Sequence, residues 1–191
     1  MRTFAALLTI ASLLGMSSTA ALADTSVSAS IVGVSAGLTV TSPLAGALTA
    51  TLNGADQTVY TTLSPLTVTD LRGTGTGWHV TFQASQLTTG LTTSHTLPLD
   101  SLSLASISAS CATSVTCTGS ASGLTTSTPI DHGSAVTVAS ATSGAGMGTY
   151  TLTPGDFAGH VGSQLALKVP AGAYAGSYSS TITVTIADLP S

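Results

Sequence analysis

Short runs of alternating polar and apolar residues divide the chain. They fall at residues 25–34, 38–41, 44–52, 58–63, 66–71, 78–82, 97–110, 135–139, 148–153, 164–169 and 178–187, with clusters of Gly, Pro, Asn or Asp between them. A period of two sends successive side chains to opposite faces of a strand. No segment holds a helical period over about three turns. Many short strands with regular turn signals predict an all-β protein, a single-domain antiparallel β-sandwich with Greek-key-like connections. The alternation also assigns faces. Leu66, Val68 and Asp70 share one face of their strand, and Trp78, Val80 and Phe82 form the core side of theirs, with His79 and Thr81 opposite.

The N-terminus follows a different pattern. Arg2 precedes an apolar run over residues 4–16, too short to span a bilayer as a helix, and residues 17–23 are small and end in Ala21-Leu22-Ala23. This predicts a secretory signal peptide over residues 1–23, cleaved after Ala23 with Ala20 as the second choice, and a domain over residues 24–191. Beyond the leader the only basic side chains are Arg72 and Lys168, and all seven acidic residues are Asp. Nucleic acid requires clustered Lys and Arg to neutralise phosphates, so it is excluded as a partner. Attachment to anionic lipid is excluded for the same reason, leaving no membrane contact after signal cleavage. With 5% charged residues, Thr and Ser must cover the solvent faces. Edges then lack the charges that normally block edge pairing, and self-association enters as an alternative. Cys111 and Cys117, in an exported chain, predict a local intrachain disulfide. A metal pair would need further ligands nearby, and a redox pair usually has tighter spacing.

The scarce residue types meet in residues 68–82, VTDLRGTGTGWHVTF, which hold the only Trp and one of the two remaining cations. Asp70 and Arg72 stand at the entrance of a glycine-rich connection, placed to pair with each other or to tie down loop carbonyls. Phosphate binding would need a following helix N-terminus, and here a strand follows. Trp78 reads chiefly as a core anchor, while Tyr174, in the Gly/Ala-rich loop over residues 171–176, is expected to be exposed and suited to stacking on a sugar ring. The candidate binding residues are therefore Trp78, Asp70, Arg72 and Tyr174.

Asp70-Leu71-Arg72-Gly73-Thr74 followed by Gly77-Trp78-His79-Val80 resembles the WxL family of Gram-positive surface domains, with Val80 where the family has Leu. Val169-Pro170-Ala171-Gly172, then Ala175-Gly176-Ser177-Tyr178 and a Thr-rich strand, is similar to that family's closing hairpin. The second Trp-x-Leu of the family appears here as Val184-Thr185-Ile186, which marks a divergent member. The resemblance implies a β-sandwich held noncovalently at the cell surface or cell wall by peptidoglycan or another wall glycan, alone or with other surface proteins. The sequence agrees on location: an export signal, no lipidation Cys at the cleavage site, no C-terminal membrane segment and no sorting motif.

No spaced His pair and no recognisable catalytic constellation accompanies the hydroxyls and the four His residues, so a noncatalytic protein without cofactor is expected. Lys168 with Asn53 raises an isopeptide cross-link, but alternation turns Lys168 to solvent while Leu165, Leu167 and Val169 face inward. Two functions result. The first is noncovalent attachment to the wall. The alternative is a self-assembling subunit of a fibre, surface layer or matrix.

Overall fold

The computed structural model describes residue 30, residues 37–89 and residues 94–189. The signal peptide and the run at residues 25–34 lie essentially outside the described residues. Among the described residues fourteen strands follow in order: β1 (Leu38–Val40), β2 (Gln57–Thr61), β3 (Leu66–Asp70), β4 (Trp78–Ala84), β5 (Thr88–Thr89), β6 (Leu102–Leu104), β7 (Ile107–Cys111), β8 (Ala121–Gly123), β9 (Thr128–Pro129), β10 (Val136–Ala141), β11 (Gly148–Pro154), β12 (Leu165–Val169), β13 (Tyr178–Ser179) and β14 (Ile182–Ala187). Every strand pairing is antiparallel.

Two four-stranded sheets, β1-β3-β11-β7 and β14-β4-β10-β8, pack face to face. β1 lies beside β14 and β7 beside β8, so the sheets shield one another's edges. A third sheet, β2-β12-β6-β9, prolongs the first: β2 runs into β3, β6 into β7 and β11 into β12, in matching order. The pair β13-β5 prolongs the second sheet through β14 and β4. The molecule is thus a two-layer sandwich whose long strands break midway. Ile130 staples the layers near the break. Its N–H donates to Leu102 O at 2.9 Å and its carbonyl accepts from Ala84 N at 2.7 Å.

Alternation drives this arrangement. β3 buries Leu66, Val68 and Asp70, and β4 buries Trp78, Val80 and Phe82, as the period of two requires. From the other sheet Tyr150 meets Trp78 edge-on, with ring centroids 5.8 Å apart. Three connections cross between the sheets at the Trp78 end: residues 71–77, 112–120 and 142–147. Lys168 is exposed and its strand neighbours Leu167 and Val169 are buried.

The structure corrects the sequence reading in three places. Residues 44–52 form no strand and make one isolated bridge, Ala45 to Leu63. β1 and β11 already flank β3, so the segment meets only the residues just before that strand, and Leu44 stays 80% exposed. The run at residues 97–110 divides into β6 and β7 where the chain passes from one sheet to the next, and that at residues 178–187 divides where the partner changes from β5 to β4. Strands β5, β8 and β9 are too short to leave a periodic signature.

Cys111 and Cys117 are disulfide-bonded, with Cα atoms 5.9 Å apart. The bridge closes the 112–116 loop just outside β7, where Ala112 N donates to Thr149 O and Thr118 N to Met147 O. Replacing both cysteines with Ser is expected to lower the unfolding free energy by about 2 kcal/mol through loop entropy alone. Equilibrium denaturation of the double variant, with an unchanged m-value, checks this.

Candidate functional site

The Trp78 end is built around one ion pair. Asp70 ends β3 on its buried face, and the chain then turns sharply, so that the Arg72 guanidinium folds back over the carboxylate. Arg72 Nε donates to Asp70 Oδ1 at 2.9 Å and Nη2 to Oδ2 at 2.8 Å, a bidentate fork, while the Arg72 backbone N–H donates to Oδ1 at 3.1 Å. The same Nη2 donates to Gly77 O at 3.2 Å, and Nη1 pairs with Asp188 just beyond β14. One side chain thus ties both ends of its own loop to the last strand. Hydrogen bonds from Arg72 hold the Asp70 carboxyl below its ordinary range, outweighing the burial that pushes it up. The same contacts raise the Arg72 pKa.

Trp78 is fully buried, and its indole N–H donates to Gly146 O at 2.9 Å. A Cβ at Gly146 would stand 2.6 Å from that nitrogen, and the residue has φ +87°, so this position admits only glycine. The Tyr150 hydroxyl donates to Thr118 O and Gly119 O, each at 3.0 Å. Gly144 N donates to Gly75 O at 2.7 Å, joining two of the crossing loops directly. Asp70, Arg72 and Trp78 therefore come together as the sequence suggests. Trp78 presents no surface to a ligand, so any part it takes in binding runs through the loops it holds.

Tyr174 lies elsewhere. β4 separates Trp78 from Ala84 by about 20 Å at 3.3 Å per residue, and the Tyr174 loop borders the far end. There the layers splay and leave a cleft of about 670 Å³. Its floor is apolar, including Leu87, Leu102, Leu165 and Ile182, and its rim carries Tyr174 and Tyr178. Tyr174 is 63% exposed and stacks on His95 at 3.8 Å and 9°. The Tyr178 hydroxyl donates to Tyr174 O at 3.0 Å and fixes the loop. An apolar floor with an aromatic rim and backbone amides can accept the face of a sugar ring or an acyl group.

Sequence reasoning missed a second aromatic surface. Tyr60 of β2 stacks on His160 at 3.7 Å, with Phe157 at 5.6 Å, on the outer face of the third sheet. These residues lie a hundred positions apart, and only the β2–β12 pairing brings them together. Among the described residues no group of three His, Cys, Asp or Glu side chains is arranged to hold a metal ion.

Because the folded-state pKa of Asp70 lies below its ordinary 3.8, the pair's stabilisation is complete above that value and is lost as pH falls through the folded-state value. Asp70→Asn is expected to lower stability at pH 7 by about 3 kcal/mol, since it leaves a largely buried guanidinium short of its partner. It should also flatten the acid limb of the stability profile. Denaturation series from pH 7 to pH 2 for both proteins test the two effects together.

Comparison with known proteins gives one positive finding: no curated protein and no solved structure matches the chain, but a family described as "WxL domain surface cell wall-binding" matches residues 38–190. That match spans nearly all the described sandwich, including the Asp70–Trp78 corner, and the chain belongs to the WxL family of cell wall-binding surface domains.

Proposed function

We propose that the domain, exported and freed of residues 1–23, attaches noncovalently to peptidoglycan through the cleft at its splayed end. The observation that carries this reading is the Tyr174–His95 stack on the rim of the cleft, within a domain of a wall-binding family. Stacking on a ring face needs an exposed, immobilised aromatic, and Tyr174 is both exposed and held through its carbonyl by Tyr178. The apolar floor suits the acetyl groups of an amino-sugar polymer. Asp70, Arg72 and Trp78 serve this function indirectly by keeping the opposite end closed.

Self-assembly finds less support. The edges of the two facing sheets lie beside one another, and of the third sheet's two edges β9 carries Pro129, which has no N–H to offer a further strand, leaving β2 as the open one.

Purified protein is expected to sediment with insoluble cell walls and to stay in solution once the peptidoglycan has been digested. Tyr174→Ala should weaken sedimentation about tenfold, equivalent to about 1.4 kcal/mol, without shifting the thermal midpoint. Sedimentation that survives digestion, or failure to sediment at all, would overturn the reading.

A further inference from the structure

Among the described residues Arg72 is engaged within the fold, whereas Lys168 forms no ion pair. Lys168 is exposed on the outer face of β12 and opens onto a second cleft of about 390 Å³, separate from the Tyr174 cleft. Asp56 and Asp100 line the same cleft. Three of the few charged side chains of this chain thus converge on one concavity. Opposite charges line the cleft, yet Lys168 pairs with neither carboxylate.

Both carboxylates are fixed from the side. Asp56 Oδ1 accepts from Ala171 N at 2.8 Å, and Asp100 Oδ1 accepts from His132 Nδ1 at 2.6 Å. Each engages one oxygen on the protein and leaves the other for a ligand. The rim between Pro98 and Ser101 is equally constrained. Ser101 Oγ donates to Pro98 O at 2.6 Å, and Ser101 N donates to Oδ2 of the fully buried Asp131 at 3.2 Å. Oδ1 of Asp131 has no hydrogen-bond partner beneath this rim. Asp100 itself is the one non-glycine residue with positive φ, at 64°, among the described residues. Asp tolerates the left-handed region in turns, and here it fixes the direction of the rim at residue 100. The cleft is therefore a preformed arrangement of one ammonium donor and two carboxylate acceptors, held apart by the backbone.

We infer that this second cleft binds a short peptide bearing both a free amine and a free carboxylate, with Lys168 taking the carboxylate and Asp56 and Asp100 taking the amine. This rests on the wall-binding reading for its natural source, the peptide stems of the wall polymer, which carry both groups. A purely anionic ligand would meet two carboxylates, and a purely cationic one would leave Lys168 unanswered.

Calorimetric titration of the full domain with a synthetic four-residue peptide, carrying one free lysine ε-amine and a free C-terminal carboxylate, tests the inference. Amidating the carboxylate or acetylating the ε-amine is expected to weaken binding at least tenfold. In Lys168→Gln the free-carboxylate and amidated peptides should bind alike, and Lys168→Arg should restore the difference. In the Asp56→Asn, Asp100→Asn double variant the acetylated and free-amine peptides should bind alike. Equal binding of capped and uncapped peptides by the native domain would overturn the assignment, as would unchanged discrimination in Lys168→Gln. If the native domain binds no peptide yet still sediments with walls, the inference fails and the wall-binding reading stands. If the peptide binds with this charge dependence but walls are not sedimented, the cleft is real and the wall-binding reading fails.

Discussion

Trp78 is the constraint on which the sandwich depends. Its ring fills the space between the facing sheets at their closed end, against Tyr150. A buried indole N–H needs an acceptor, because leaving it unpaired would cost roughly 1–3 kcal/mol. The Gly146 carbonyl meets that need only because residues 142–147 come close over the ring, which in turn requires glycine at 146. That loop is bonded to the 71–77 loop through Gly75 and to the 112–120 loop through Thr118. One side chain thereby sets the path of all three crossing connections. The Asp70–Arg72 fork completes the closure by tying the first of them to Asp188. With one end locked, the layers are free to part at the other, where the Tyr174 cleft forms.

The core faces of β3 and β4 were legible in the sequence because the alternation is strict and the residue types are unambiguous. The Asp70–Arg72 pair was legible because two residues and a glycine loop confine it. Residues 44–52 alternate just as well, yet make no strand. Alternation says which way side chains point and not whether a sheet edge is left to pair with. The Tyr60–His160 stack and the cleft joining Asp56, Asp100 and Lys168 were not legible, since each depends on pairings across the third sheet. A periodic pattern carries local direction; it carries no information about which distant strands meet.

The missing second Trp can be understood in the same terms. Val184 stands in β14 opposite Phe82 of β4, and Ile186 stands opposite Val80; both are half-buried against the core. The position where the family carries Trp thus belongs to the packing of this sheet.

The scarcity of charge has a consequence for recognition. Long-range steering depends on a field built from many like charges, and net charge here is −4, with Asp70, Arg72 and Asp188 engaged with one another. Encounter with a polymer therefore gains little from electrostatics, and selectivity must arise at contact. Such a surface is indifferent to the mean charge of the meshwork it enters and does not accumulate on it by charge alone. Against that background three charged side chains around a single cleft carry more discrimination than they would on an ordinary surface, because few competing charges lie elsewhere to attract the same ligand.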